Sequence, residues 1–143
     1  MIIRELAPEE STLAFDAMRA LRPALTEVDF ADRVREQAED GYRIVAAFDE
    51  ADGERALAVA GFRAASNLAW GRHCYVDDLS TLPAARGRGA ASQLLSWIFD
   101  EAARSGASQV HLDSGVQVER QDAHRLYFRT GFRISSYHFS RTV

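Results

Sequence analysis

Two arginines and two glycines in the run Arg86-Gly87-Arg88-Gly89, followed by Ala90-Ala91, carry the clearest chemistry in this chain. The run lies between an apolar stretch, Tyr75 to Leu82, and an amphipathic one, Ala90 to Arg104. A glycine turn between a strand and a helix start aims several unpaired backbone N–H groups at one place. The helix dipole adds roughly half a positive charge there. The guanidiniums of Arg86 and Arg88 reinforce the preference for an anion. The expected ligand is a phosphate or pyrophosphate.

Three turns of this kind compete. A nucleotide-triphosphatase loop, G-x-x-x-x-G-K-[ST], needs a lysine on the terminal phosphates, and all 17 basic residues here are arginine. A dinucleotide turn, G-x-G-x-x-G, is met by Gly87 and Gly89 but has Ser92 in place of the third glycine. Pro83 to Arg86 also separate it from the strand, and 143 residues leave no room for a second mononucleotide half. The third candidate emerges from the elements around the turn.

Ile2 to Leu6 reads as a strand, and Pro8 with Glu9 and Glu10 suits a helix start. Leu13, Ala17, Met18 and Leu21 share one helical face. Thr26 is an N-cap for a second helix carrying Phe30, Val34 and Ala38, stopped by Gly41. Tyr42 to Phe48 and Ala56 to Ala64 form a hairpin about a polar turn. A loop, Ala65 to Arg72, carries an exposed Trp70. His73 to Thr81 is a strand, Ala90 to Arg104 the strongest helix, and Gln109 to Asp113 a short strand. Asp122 caps a helix holding Leu126 and Tyr127, with Gly131 at its end, and Phe132 to Ser140 closes the chain as a β-rich segment. The order βααββ βαβαβ is that of a mixed α/β layer structure.

Against that order, Arg86 to Ala91 resembles the [QR]-x-x-G-x-[GA] pyrophosphate loop of the GNAT superfamily of acyl-CoA-dependent N-acetyltransferases. Tyr75 to Pro83 is similar to the superfamily's fourth strand. Ala123-His124-Arg125-Leu126-Tyr127-Phe128-Arg129-Thr130-Gly131-Phe132 resembles its A-x-x-[FL]-Y-x-x-x-G-F helix, about 40 residues downstream. One departure stands out: Arg120 occupies a position where many members have asparagine. The resemblance implies one N-acetyltransferase domain over residues 1–143. Its fold would be a mixed, mostly antiparallel sheet flanked by helices, with the central cofactor strands splayed.

The resemblance also implies a reaction: a primary amine attacks the thioester of acetyl-CoA. Three groups are needed: an acceptor for the amine proton, a donor for the developing oxyanion and an acid for the leaving thiolate. By resemblance, backbone groups of Leu79, Ser80 and Thr81 hold the pantetheine arm, and Arg86, Gly87, Arg88, Gly89, Ala90 and Ala91 hold the pyrophosphate. Tyr127 takes the position of the thiolate-protonating acid; its other reading is a core aromatic. Asp77 stands where several members carry an acid. As neighbours on a strand, Asp77 and Asp78 are expected to point to opposite faces, one of them toward the acceptor amine. His111 is a candidate base and shares a strand face with Asp113, with Ser114 at that strand's end as acceptor lining. Plain strand or capping roles remain open for all of these. His73, His124 and His138 show no metal spacing and read as structural or surface residues. Cys74 reads as a small buried residue, and no metal site is expected.

Bulk properties narrow the partners. A net charge of −4 and a pI near 5.5 argue against general nucleic-acid or anionic-membrane binding. One cysteine gives no disulfide framework, and the absence of a long apolar run or a signal-like start makes a cytoplasmic protein the default. The expected partner is a small-molecule amine or amino-acid derivative, and a homodimer is compatible with the β-rich C-terminus. Two other classes stay open. One is a non-catalytic acyl-CoA-binding sensory module; the other is a protein-modifying acetyltransferase.

Overall fold

Alternation along Tyr42–Asp49 sets the layers of the fold. Tyr42, Ile44, Ala46 and Phe48 belong to a buried cluster with Leu6, Met18, Phe30 and Val34, on the side of the first two helices. Arg43 stands instead over the rings of Phe62 and Trp97, on the side of the third helix. Successive strand residues point to opposite faces, so a strand covered on both sides reads as a nearly continuous apolar run. Val45 and Ala47 are accordingly as buried as their even-numbered neighbours.

The computed structural model describes all 143 residues, which divide into two compact units, Met1–His111 and Leu112–Val143. The first unit runs β1 (Ile2–Leu6), a 3-10 turn (Pro8–Ala14), α1 (Phe15–Leu21), α2 (Glu27–Glu39), β2 (Tyr42–Asp49), β3 (Asp52–Asn67) and β4 (Gly71–Thr81). A second 3-10 turn (Pro83–Ala85), α3 (Ala90–Arg104) and β5 (Gln109–Leu112), of which all but Leu112 belongs to the first unit, complete the series. The five strands lie in sequence order in one open sheet. The pairings of β1 with β2, β2 with β3 and β3 with β4 are antiparallel, and β5 supplies the one parallel pair. This is the mostly antiparallel α/β arrangement expected.

Thr26 caps α2 as its sequence implies, accepting a 3.1 Å hydrogen bond from the Asp29 N–H. The Arg43 guanidinium bonds Glu5 on β1 and Glu101 on α3. Arg104 and then Arg43 hold the Glu101 carboxyl down at about 2. The stretch after Pro8 is a 3-10 turn before α1 begins. The β3–β4 hairpin is longer than the patterning implies, because Ala65, Ser66 and Asn67 continue the ladder against His73, Arg72 and Gly71, leaving only residues 68–70 in the turn. Trp70, in that turn, is half-buried instead of exposed.

The second unit contains a 3-10 turn (Val118–Arg120) and α4 (Gln121–Arg129). Asp122 does not cap α4; it lies inside the first turn and pairs with Arg125. Gly131 ends the helix with a φ of 93°. The expected β-rich segment Phe132 to Ser140 contains no strand. Its apolar residues, Phe132, Ile134, Tyr137 and Phe139, alternate only in two short pieces and have no partner strand within the unit, and a strand without ladder hydrogen bonds is not one. Phe132 is tied back to Tyr127 by a 2.9 Å backbone bond and a T-shaped ring contact, while Ile134, Tyr137 and Phe139 are exposed.

Candidate functional site: a bulged strand beside a glycine–arginine turn

The register of β3 on β4 slips at one place. Phe62 pairs with Val76 and Gly61 with Asp78, so Asp77 has no partner of its own. An extra residue of this kind bends the strand and re-aims its side chains, a device frequent next to active sites. It corrects the expectation that Asp77 and Asp78 diverge: both line one cavity of about 780 Å³ between β4, α1 and α2.

The two carboxylates are held firmly. Arg63 makes a two-pronged pair with Asp77, at 2.7 and 2.8 Å. Arg22, just past α1, donates from Nε and Nη2 to Asp78 Oδ1 and from Nη2 to the Asp77 carbonyl. Tyr42 donates a 2.7 Å hydrogen bond to Asp78 Oδ2. Burial, and then the Asp78 charge, push the Tyr42 phenol far above its ordinary value. The Tyr42 ring lies against Gly61, where a Cβ would stand 1.8 Å from the hydroxyl oxygen. Only glycine allows that approach.

Directly after Asp78 come Leu79, Ser80 and Thr81, paired with Ala60, Val59 and Ala58 of β3. On its other side β4 meets β5, which has four residues against eleven in β4 and begins beside Arg72 through the Ser108 N–H. β5 is therefore too short to pair with the whole of that edge of β4.

The turn beyond β4 has the form its sequence implies. Gly87 and Gly89 take φ values of 78° and 82°, and Gly89 is the N-cap of α3. The Gln93 N–H donates to the Gly89 carbonyl, which leaves the N–H groups of Ala90, Ala91 and Ser92 outside the helix ladder. A Cβ at either glycine would meet no heavy atom within 4 Å, so the turn leaves its bare amides accessible, and amides at a helix N-terminus suit the charge of a pyrophosphate. Arg86 is exposed and without an ionic partner, whereas Arg88 pairs with Asp49 at 2.8 Å and lowers that carboxyl.

The remaining candidates fall elsewhere. His111 stacks on Trp70 with centroids 3.6 Å apart, and its Nε2 faces Gln109 Oε1 at 2.7 Å. His73, read as a surface or structural residue, is buried beside them, its Nδ1 3.0 Å from the Gly71 carbonyl. Cys74 is buried, and burial raises its thiol. In the second unit Asp113 lies 3.3 Å from His138, and Ser114 lies 3.1 Å from His124. Tyr127 is buried on α4; burial raises its phenol, and the positive charge of Arg120 opposes that shift.

Tyr42, Arg22 and Arg63 were not among the residues expected at the site. Arg63 alone carried a signal, as a lone charge in the apolar strand run Ala56 to Ala64.

Residues 7–132 match the model of the acetyltransferase (GNAT) family, and the chain belongs to that family. It is 37% identical over 68 residues to an aminoalkylphosphonate N-acetyltransferase of Salmonella typhimurium, covering 48% of this chain and 43% of that one. It is 40% identical over 74 residues to an uncharacterized N-acetyltransferase of Bacillus subtilis, covering 51% of each. The chain spans about half the length of the curated relatives it matches. An aminoglycoside N-acetyltransferase solved in complex with CoA superposes with a TM-score of 0.81 at 16% identity, over 99% of this chain and 93% of that one. No helix is long and apolar enough to cross a membrane.

Proposed function

We propose that residues 1–143 act as one N-acetyltransferase domain that moves an acetyl group from acetyl-CoA to the primary amine of a small molecule. The observation that carries this reading is the continuity of β4: its bulge turns two aspartates into a cavity, and its next three residues lead to a glycine turn whose amides suit the charge of a pyrophosphate. Family membership and the CoA-bound neighbour support the choice of cofactor.

In this reading the backbone of Leu79, Ser80 and Thr81 and the turn Arg86 to Ala91 hold acetyl-CoA, which supplies an acetyl group activated as a thioester. An amide on β4 near Leu79 stabilises charge on the carbonyl oxygen. Asp77 and Asp78 orient the amine by accepting hydrogen bonds from it, and its proton leaves to solvent, because only the neutral amine attacks. Arg63, Arg22 and Tyr42 fix both carboxylates in place, so no rotamer freedom is lost when the amine arrives. Tyr127 Oη gives its proton to the departing sulfur. A C–N bond forms and the C–S bond breaks; the nitrogen releases a proton to solvent, and solvent returns one to the Tyr127 phenolate after it has protonated the sulfur. His111 is not required on this route, since Gln109 engages its Nε2 and Trp70 covers its ring.

Free-thiol release from acetyl-CoA across a panel of primary amines tests the reading, with the thermal shift given by CoA alone as its control. Stabilisation by CoA together with amine-dependent thiol release is expected. A melting temperature unmoved by CoA would sink the proposal.

A further inference from the structure

The acceptor cavity is charged in an uneven way. Its two deep carboxylates are already matched: Asp77 by Arg63 through both oxygens, Asp78 by Arg22 and the Tyr42 hydroxyl. Such pairs leave little net field for attracting a second cation. A third guanidinium, Arg33 on α2, also lines the cavity and has no carboxylate partner. It shares a helix face with the buried Phe30 and Val34 and with Gln37, at i, i+3, i+4 and i+7 spacing. Arg22 adds a second resource, because its Nε and Nη2 are spent on β4 while its Nη1 makes no hydrogen bond. The one unmatched acid on the lining, Asp40, closes α2 about 10 Å along the helix from Arg33 by the helical rise.

Resting on the proposed acetyl transfer, we infer that the acceptor is a short amine with an anionic group, a carboxylate or a phosphonate, and that Arg33 is the residue that binds the anion. The amine end lies toward Asp77 and Asp78, next to Leu79; the anion lies toward α2, where Arg33 and Gln37 present donors. A guanidinium suits either anion because its fixed fork pairs two oxygens at once. Polyamines and aminoglycosides fit poorly, because they place further positive charge against Arg33 and find the aspartates already matched.

The test compares kcat/KM for β-alanine and 2-aminoethylphosphonate with that for propylamine, in the wild type and in Arg33→Gln. The wild type is expected to favour both anionic amines by tenfold or more, and the two arms show which anion is preferred. Arg33→Gln is expected to shrink that ratio about ten- to hundredfold, the range of a lost charge-assisted hydrogen bond. Arg33→Glu is expected to reverse it in favour of spermidine. A wild type that prefers propylamine or spermidine, or an unchanged ratio in Arg33→Gln, overturns the inference. Propylphosphonate, which has no amine, gives a readout independent of turnover: it is expected to stabilise the wild type thermally and not Arg33→Gln. If no amine releases thiol, the transferase reading falls, and the propylphosphonate shift still decides the anion site.

Discussion

The Tyr42 hydroxyl reaches Asp78 across a gap that exists only because residue 61 has no side chain. Tyr42 lies at the start of β2 and Asp78 on β4, with the whole width of β3 between them. A methyl group on residue 61 would overlap the phenol, with backbone on one side and ring on the other. Gly61→Ala is therefore expected to cost roughly 1–3 kcal/mol of stability by overpacking. Tyr42→Phe keeps the ring, loses the donor and is expected to cost only about 1 kcal/mol. Urea denaturation of the two variants checks the order. Equal losses would mean that the steric role of Gly61 is wrongly assigned.

The same phenol makes stability depend on alkaline pH. Its folded pKa lies well above the ordinary 10.0, chiefly through burial and then through the Asp78 charge. Below pH 10 the phenol is protonated in both folded and unfolded chains and adds no pH dependence. Above pH 10 the unfolded chain releases the proton first, so stability falls as pH rises toward the folded value. Wild-type protein is expected to lose stability between pH 10 and 11, and Tyr42→Phe to lose measurably less over that interval. Parallel slopes in denaturant titrations at pH 9, 10 and 11 would contradict this origin.

Much of this architecture is legible in the residues, and what is not has a physical cause. Thr26, Gly41, Gly89 and Gly131 punctuate helices through local chemistry, which spacing alone exposes. The glycine–arginine turn is legible for the same reason, since its amides and left-handed glycines lie within six residues. The bulge at Asp77 is not: strict alternation separates Asp77 from Asp78, and the slip depends on how β3 lies against β4. Arg22 and Tyr42 were missed because they meet Asp78 from 56 and 36 residues away. Phe132 to Ser140 misled in the opposite direction, because its apolar pattern is strand-like and no edge in its unit receives it.

The two arginines of the turn, equal in the sequence, are unequal in the structure. Arg88 is already paired with Asp49, whereas Arg86 has no carboxylate partner. A phosphate reaching Arg88 must compete with that acid, so Arg86→Gln is expected to raise the KM for acetyl-CoA more than Arg88→Gln does. A separation of about tenfold is the scale of one charge-assisted contact to a partly exposed phosphate. The gap is expected to narrow at high salt, where exposed charges are screened. Asp49→Asn is the companion variant: by freeing Arg88 it is expected to lower the KM. Initial rates at 50 and 500 mM salt decide the point, and a larger effect at Arg88 would place the pyrophosphate differently.

Tyr127 distinguishes an enzyme from a module that only binds CoA. Its ring is packed on α4 against Phe132, so Tyr127→Phe preserves the apolar contact and removes only the hydroxyl. The proposed acid role requires a protonated phenol, which an ordinary tyrosine already is at neutral pH, and burial raises the phenol further. A thiolate is a competent leaving group unaided, with an ordinary thiol pKa near 8.5, so the loss should fall short of the larger general-acid effects. Tyr127→Phe is expected to lower kcat about tenfold to a hundredfold while the thermal shift given by CoA stays the same. Arg120→Gln removes the guanidinium that opposes the effect of burial, so the phenol should become still harder to ionise. A spectrophotometric titration of the phenolate follows that change directly. Unchanged turnover in Tyr127→Phe would assign the residue to packing alone and pass the acid role to solvent.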